Sequence, residues 1–396
     1  MRKILSILCA FLLLVSFKTV VFATEADKQE NTEQRESVVT ESPSVYLMEL
    51  HTGKTVYEKN AKEIRSPASI TKIMTLLLIY EELEKGNLTL SEEVTVSAHA
   101  KSMGGSQVYL EEGEKQTVET MIKCIVVASG NDASVAMAEH IQGNEESFVK
   151  RMNEKAMALG MKNTNFEDCC GLTDSANHYT TAEDVAIMSR ELVMKYPDIL
   201  NYSSIWMDTI THTTRKGSEE FGLSNTNKLI RTYPGCVGLK TGSTSVAKFC
   251  VSAVAKQENL TMLAIVMGAD TPAIRSKDAT ALLNYGFSAC SLYIDGHEEL
   301  LLQPKISGGN QEFIKGDTVE PFYYASTEKQ DISKIEKVIT YKEDLKAPVK
   351  KGEAIGKITY MLAEKEIGSI EIISIENVEK ATFWQILKQT LQLWGV

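Results

Sequence analysis

The sequence predicts an α+β protein in which a cluster of helices packs on an antiparallel sheet, a small all-β domain follows, and an amphipathic helix closes the chain. Three observations predict this. Apolar residues recur at helical spacing in several runs before residue 195. Val237 to Thr244, Phe249 to Val254 and Thr261 to Met267 read as successive strands closed by a helix from Asp278 to Phe287. Beyond Ser291 the pattern changes to short strands, such as Lys337 to Tyr341 and Ile358 to Met361, punctuated by Gly308-Gly309 and Gly316. With 396 residues and 43% hydrophobic content, the chain is long enough for two cored domains.

Taken in order, residues 1–23 carry Arg2 and Lys3, an apolar run from Ile4 to Phe17, and Val21-Phe22-Ala23 as a small-residue cleavage site. This is the pattern of a secretory signal peptide, so the protein is expected to be exported. The alternative, an uncleaved anchor, has a short apolar core for a span. Residues 24–42 are acidic, polar and poor in apolar residues, which predicts a solvated linker. The first folded domain is expected over residues 43–290. It opens with a hairpin from Ser44 to Tyr57 around the turn His51-Thr52-Gly53-Lys54. A buried helix through Ile73 to Tyr80 follows, entered at Pro67 and ending near Gly86. Val118 to Val127, Ala133 to Ile141 and Phe148 to Leu159 continue as helices, interrupted at Ala128-Ser129-Gly130-Asn131-Asp132. Asn163 to Tyr179 is a turn-rich loop, and Thr181 with Asp184 three residues on predicts a capped helix through Met194. The β domain is expected over 291–380 and the amphipathic helix over 381–396, where Gln385, Lys388, Gln389 and Gln392 share one face.

Composition excludes some classes. A net charge of -11 and a pI near 5.3 argue against nucleic acid as a partner, since phosphate binding needs a concentrated basic surface. The histidines are scattered and there is neither a His-Glu-x-x-His helix nor a Cys-x-x-Cys pair, so no metal and no cofactor are expected. Outside the signal segment the cysteines are Cys124, Cys169, Cys170, Cys236, Cys250 and Cys290. Cys236 and Cys250 flank one turn region and could bridge if the register allowed it; buried free thiols are the other reading.

The chemistry begins at Ser66-Pro67-Ala68-Ser69-Ile70-Thr71-Lys72. Spacing of three puts Ser69 and Lys72 on one helical face, where a lysine of lowered pKa can take the proton of a hydroxyl nucleophile. Ser-x-x-Lys alone is weak, because Ser326-Thr327-Glu328-Lys329 repeats it. Only the first copy has companions. Ser129-Gly130-Asn131 and Lys240-Thr241-Gly242 follow it, each at a structural junction, and no Gly-x-Ser-x-Gly elbow competes as a nucleophile.

This ordered set resembles that of the penicillin-binding and β-lactamase-like transpeptidase fold. The phrases Ser129-Gly130-Asn131, Val237-Gly238-Leu239-Lys240-Thr241-Gly242 and His178-Tyr179-Thr180-Thr181, with a β domain and terminal amphipathic helix, look like the low-molecular-weight D-alanyl-D-alanine carboxypeptidases from about residue 40 onward. The resemblance implies an exported serine-type enzyme that trims the terminal D-alanine from peptidoglycan stem peptides ending in D-Ala-D-Ala and is acylated by β-lactam antibiotics. It implies Ser69 as nucleophile and Lys72 and Ser129 as proton carriers, leaving open which performs each transfer. It further implies Asn131 on the substrate amide, the backbone N–H groups of Ser69 and Ser243 as oxyanion hole, and Lys240, Thr241, Gly242 and Arg275 around the terminal carboxylate. His178 is expected to organise its loop and not to react. The rivals are a β-lactamase, which needs a well-placed deacylating base, and a catalytically silent wall-binding scaffold. The last segment is expected to lie on the membrane surface with Trp384 and Trp394 in the headgroup layer, the alternative being a helix docked on the β domain or on a dimer partner.

Overall fold

The computed structural model describes residues 38–215, 217–297, 303–328 and 330–393. The segment expected to be a signal peptide, most of the expected linker, Lys329 and Trp394 lie outside them.

Strands β1 (Ser44–Glu49) and β2 (Thr55–Lys59) form the expected hairpin. A 3-10 turn at Ala68–Thr71 then leads directly into α1 (Lys72–Glu84), whose residues from Ile73 to Tyr80 are all buried. A helix apolar on every side belongs at the centre of a core, and α1 is surrounded by the helices that follow. The elements that follow are β3 (Glu93–Thr95), α2 (Ala98–Lys101), β4 (Lys115–Thr117), α3 (Val118–Val126), α4 (Asn131–Gln142), α5 (Glu145–Ala158), α6 (Ala182–Lys195) and α7 (Ile199–Ser203), with β3 and β4 paired, and of these α3, α4, α5 and α6 pack on α1. The N-terminal side-chain caps are Ser97 on α2, Thr117 on α3, Asn144 on α5 and Thr181 on α6, the last accepting from the Asp184 N–H as the sequence predicts.

A hairpin of β5 (Met207–Thr214) and β6 (Gly217–Ser224) comes next, followed by α8 (Leu229–Thr232), β7 (Cys236–Thr244), β8 (Lys248–Gln257), β9 (Leu260–Ala269) and α9 (Pro272–Ala289). The main sheet has the antiparallel order β2-β1-β9-β8-β7, which inserts the N-terminal hairpin beside β9 and leaves β7 at an edge. Strands β1 and β9 are buried almost throughout because α6 and α9 both pack on them. The period of two decides what β7 offers the helices. Ser252 of β8 meets Ser189 of α6 at 2.9 Å, and its cross-strand partner is Lys240, so Lys240 and Gly242 share the face toward the helix cluster.

The same register corrects the cysteine expectation. Cys236 pairs with Ala255 and Cys250 with Gly242, which sets the two thiols at opposite ends of the ladder and beyond disulfide reach. All six described cysteines are free and buried, as the alternative reading held. Thiol titration in denaturant, on protein from which residues 1–23 have been removed, is expected to count six thiols in the absence of any reductant; four would indicate a bridge.

The second part of the chain comprises β10 (Ser291–Asp295), β11 (Gly316–Thr318), β12 (Phe322–Ser326), β13 (Glu336–Tyr341), β14 (Ala354–Leu362) and β15 (Lys365–Ser374). It has its own core, centred on Tyr360, Ile358, Ile372 and Val378, with Phe322 stacked on Tyr360 at 3.7 Å between centroids. His51 stacks on Tyr323 across the junction with the first part. Helix α10 (Phe383–Leu393) starts with a reciprocal cap, in which Gln385 N–H donates to Thr382 Oγ1 and Thr382 N–H to Gln385 Oε1. Phe383 and Trp384 on it are 71% and 74% exposed, so these side chains do not dock on the β domain. Among the described residues no helix is long and apolar enough to cross a membrane.

Candidate active site

Three segments that are distant in sequence converge at the N-terminal end of α1: the turn carrying Ser69, the α3–α4 junction carrying Ser129 and Asn131, and edge strand β7. Two junctions are strained. Ala68, immediately before the first serine, has φ 47°, and Ser129 has φ 62°, both in the left-handed region that side chains with a Cβ avoid. Surrounding contacts hold them there. A Cβ on Gly171 would lie 1.8 Å from the Ala68 carbonyl oxygen, so the loop from Asn163 can close over the Ser69 turn only with glycine at that place. On the other side a Cβ on Gly242 would come within 3.0 Å of the Ser69 amide nitrogen, so β7 runs against the turn where a side chain would block it.

The surroundings of Lys72 define its hydrogen inventory. Its buried Nζ lies 2.6 Å from Asn131 Oδ1, 2.7 Å from the Cys170 carbonyl oxygen and 3.1 Å from Ser69 Oγ. Burial lowers its pKa, against the opposing pull of Cys170, Cys169, Asp168 and Asp132. A neutral amine has two N–H bonds and one lone pair. The two shorter contacts are to carbonyl oxygens, which can only accept, so they take both hydrogens. The lone pair then faces Ser69, whose hydroxyl can donate to it.

Lys240 forms the second half. Its buried Nζ donates to Ser129 Oγ at 2.8 Å and to the Thr241 carbonyl at 3.0 Å. Burial holds its pKa well below the ordinary lysine value, reinforced by the neighbouring basic groups Lys72 and Arg275. Arg275 sits in the first turns of α9, buried, with its guanidinium 3.5 Å from the Cys250 carbonyl and over the Phe249 ring. Three basic groups thus share one poorly solvated region, which suits it to an anion. Thr241 Oγ1 bonds Thr226 Oγ1 at 2.6 Å, while Ser243 is exposed at the end of β7.

Several supporting residues were not visible in the sequence. Asp168 turns its carboxylate onto the backbone N–H groups of Cys170, Gly171 and Thr173. Burial would raise its pKa, but His178 and these three donors hold it below the usual range. This fixes the Cys170 carbonyl opposite Lys72. His178 takes the Glu167 N–H on Nδ1 at 3.0 Å, so Nε2 carries the hydrogen and donates to Thr71 Oγ1, whose own hydroxyl donates to the Ala68 carbonyl. Burial lowers the His178 pKa against the opposing pull of Asp168 and Glu167, and its two hydrogen bonds tie the covering loop to the Ser69 turn. Among the described residues no three His, Cys, Asp or Glu side chains are grouped to hold a metal ion.

A half-buried serine against a buried lysine amine, a second serine on a second lysine, and an edge strand beside both define an active-serine enzyme of the penicillin-recognising fold. Comparison with known proteins agrees. Residues 29–271 match the D-alanyl-D-alanine carboxypeptidase family, and residues 292–380 match the C-terminal domain of penicillin-binding protein 5. The chain is 40% identical to D-alanyl-D-alanine carboxypeptidase DacF of Bacillus subtilis, covering 100% of this chain and 99% of the relative. It is 30% identical to DacC of Escherichia coli, covering 94% of each. The crystal structure of penicillin-binding protein 5 from Haemophilus influenzae superposes with a TM-score of 0.70 at 27% identity, over 86% of this chain and 98% of that one. The chain belongs to the serine-type D-alanyl-D-alanine carboxypeptidase family.

Proposed function

We propose that the protein is an exported D,D-carboxypeptidase that removes the terminal D-alanine from peptidoglycan stem peptides through an acyl-enzyme on Ser69, and that penicillin acylates the same serine. The observation that carries the reading is the placement of the buried Lys72 Nζ 3.1 Å from Ser69 Oγ beside two carbonyl acceptors, so that once the amine has lost its extra proton its lone pair is left for the Ser69 hydroxyl. Ser69 Oγ attacks the carbonyl carbon of the penultimate D-alanine as its proton passes to Lys72 Nζ. The oxyanion forms beside the backbone N–H groups of Ser69 and Ser243, and collapse breaks the C–N bond. Ser129, held on Lys240, passes a proton to the departing amine. Lys240, Thr241 and Arg275 attract the terminal carboxylate. Asn131 Nδ2 gives one hydrogen to the Gly104 carbonyl and keeps its second for the substrate amide. Water then attacks the ester and frees the shortened peptide.

The β-lactamase alternative needs a base poised for fast deacylation. The carboxylate on the covering loop, Asp168, is committed to three backbone donors, which favours a slowly hydrolysed penicilloyl ester. The silent-scaffold alternative is disfavoured by both Ser–Lys contacts being made. The test is release of D-alanine from an acylated peptide ending in D-Ala-D-Ala, expected to be blocked by prior incubation with penicillin; no release would sink the reading.

Export rests on the signal pattern of residues 1–23, and surface anchoring on α10 and the residues after it, placing the enzyme on the outer face of the cytoplasmic membrane. Phe383, Trp384, Ile386, Leu387 and Leu391 are all exposed, as an interfacial helix requires. Deleting the residues after Glu379 is expected to move active enzyme from the membrane to the soluble fraction, with little change in acylation rate or thermal midpoint. Continued sedimentation with membranes once signal cleavage is verified would contradict anchoring.

A further inference from the structure

The loop tied to Asn131 carries an exposed aromatic side chain that the proposed mechanism does not use. The loop from Gly104 to Leu110 is tied to the start of α4. The Asn131 N–H donates to the Ser106 carbonyl, Asn131 Nδ2 to the Gly104 carbonyl, and the buried Asp132 carboxylate accepts from the N–H groups of Val108 and Leu110. Those two residues flank Tyr109. Their side chains are buried, and Tyr109 between them has φ 61° and is 66% exposed. A bulky residue in the left-handed region is unfavourable, and the paired bonds to Asp132 hold it there.

The ring has support on one side. It meets Phe221 of β6 edge to face at 5.8 Å, and Phe221 meets His212 of β5 at 5.5 Å. His212 Nδ1 is anchored on buried Glu114 at 2.8 Å, and Gln116 Nε2 holds the Thr211 carbonyl. The hairpin β5–β6 is thereby fastened to β4 and braces the Tyr109 ring. A second exposed apolar residue, Leu172, stands on the covering loop, its Cδ1 3.0 Å from where a Cβ on Gly105 would sit. The apolar rim is therefore continuous with the wall that presents Asn131.

We propose that Tyr109 is a specificity residue that stacks on an amino-sugar ring of the glycan to which the stem peptide is attached. The inference rests on the carboxypeptidase reading. A peptide whose D-Ala-D-Ala end enters between β7 and Asn131 carries its sugar-linked end outward past this wall. The partly positive C–H hydrogens of a pyranose face are attracted to the negative face of an aromatic ring, and a ring already held in place loses little freedom on contact. Because the contact is remote from the scissile bond, it contributes equally to ground and transition states and should be read in KM.

The experiment compares one pentapeptide with and without its disaccharide, together with a minimal acylated D-Ala-D-Ala peptide and the penicillin acylation rate. The intact enzyme is expected to prefer the disaccharide-linked substrate by about 3- to 10-fold in kcat/KM, mainly through KM. Tyr109→Ala should erase that preference while leaving the minimal peptide and penicillin acylation unchanged, and Tyr109→Phe should retain it. No preference in the intact enzyme would overturn the proposal. So would a Tyr109→Ala loss that is equal on all substrates and accompanied by slower penicillin acylation, since the ring would then only support the wall. Failure of the intact enzyme to release D-alanine from any of the peptides would overturn the carboxypeptidase reading as well, and is a distinct result.

Discussion

Ser69→Ala is expected to remove both D-alanine release and penicillin labelling, by roughly 10⁴-fold or more, while Ser326→Ala leaves both intact. The two serines share a motif and differ in everything around it. Ser69 Oγ faces a buried amine whose hydrogens are committed elsewhere, beside an edge strand that a glycine allows to approach. Ser326 ends β12, where its hydroxyl donates to the Glu328 carbonyl and accepts from the Glu328 N–H. That is a local turn, in which the hydroxyl satisfies its own backbone. Labelling measured on both variants separates them, and adduct persisting in Ser69→Ala would remove the assignment.

Lys72→Arg is expected to lower the penicillin acylation rate by about 10³-fold, because a guanidinium keeps its charge at any working pH and offers no lone pair. The pH dependence of the unaltered enzyme carries the complementary sign. Burial lowers the Lys72 pKa from 10.5, so the reactive neutral amine is gained as pH rises through a value below 10.5. Acylation should therefore climb with pH along a limb below the ordinary lysine range and flatten above it. The limb should be missing in Lys72→Arg. A normal rate in that variant, measured by rapid-mixing acylation, would rule out Lys72 as the base.

Much of this site was legible because its side chains are chemically distinctive and lie in short motifs. Ser69, Lys72, Ser129, Asn131 and Lys240, all singled out by the motifs, are brought together, although the Lys72–Asn131 and Lys240–Ser129 hydrogen bonds were not foreseen. Arg275 is brought into electrostatic range of Lys240, although its hydrogen bond is to the Cys250 carbonyl. The rest was hidden for identifiable reasons. The Cys170 carbonyl that completes the Lys72 environment is a backbone group, which every residue type has. Asp168 and Asp132 act by ordering loops, and nothing about a carboxylate in a polar loop distinguishes that from solvation. The β5–β6 hairpin escaped notice because Ile210 and Leu223 are its only buried hydrophobic residues, too few for an apolar alternation. The helices around α1 were legible, since a continuous apolar run and a capped start such as Thr181 are encoded locally.

Ser69, activated by Lys72, is proposed to form an ester that this site hydrolyses slowly when the acyl group comes from penicillin. The most direct measurement is intact-mass analysis of the purified protein after exposure to penicillin, with peptide mapping of the adduct and its decay followed over time. A single penicilloyl group on Ser69 that persists long after free penicillin is removed is the expected result. Rapid loss of the adduct with turnover of penicillin would make the protein a β-lactamase, and the absence of any adduct would leave only the scaffold.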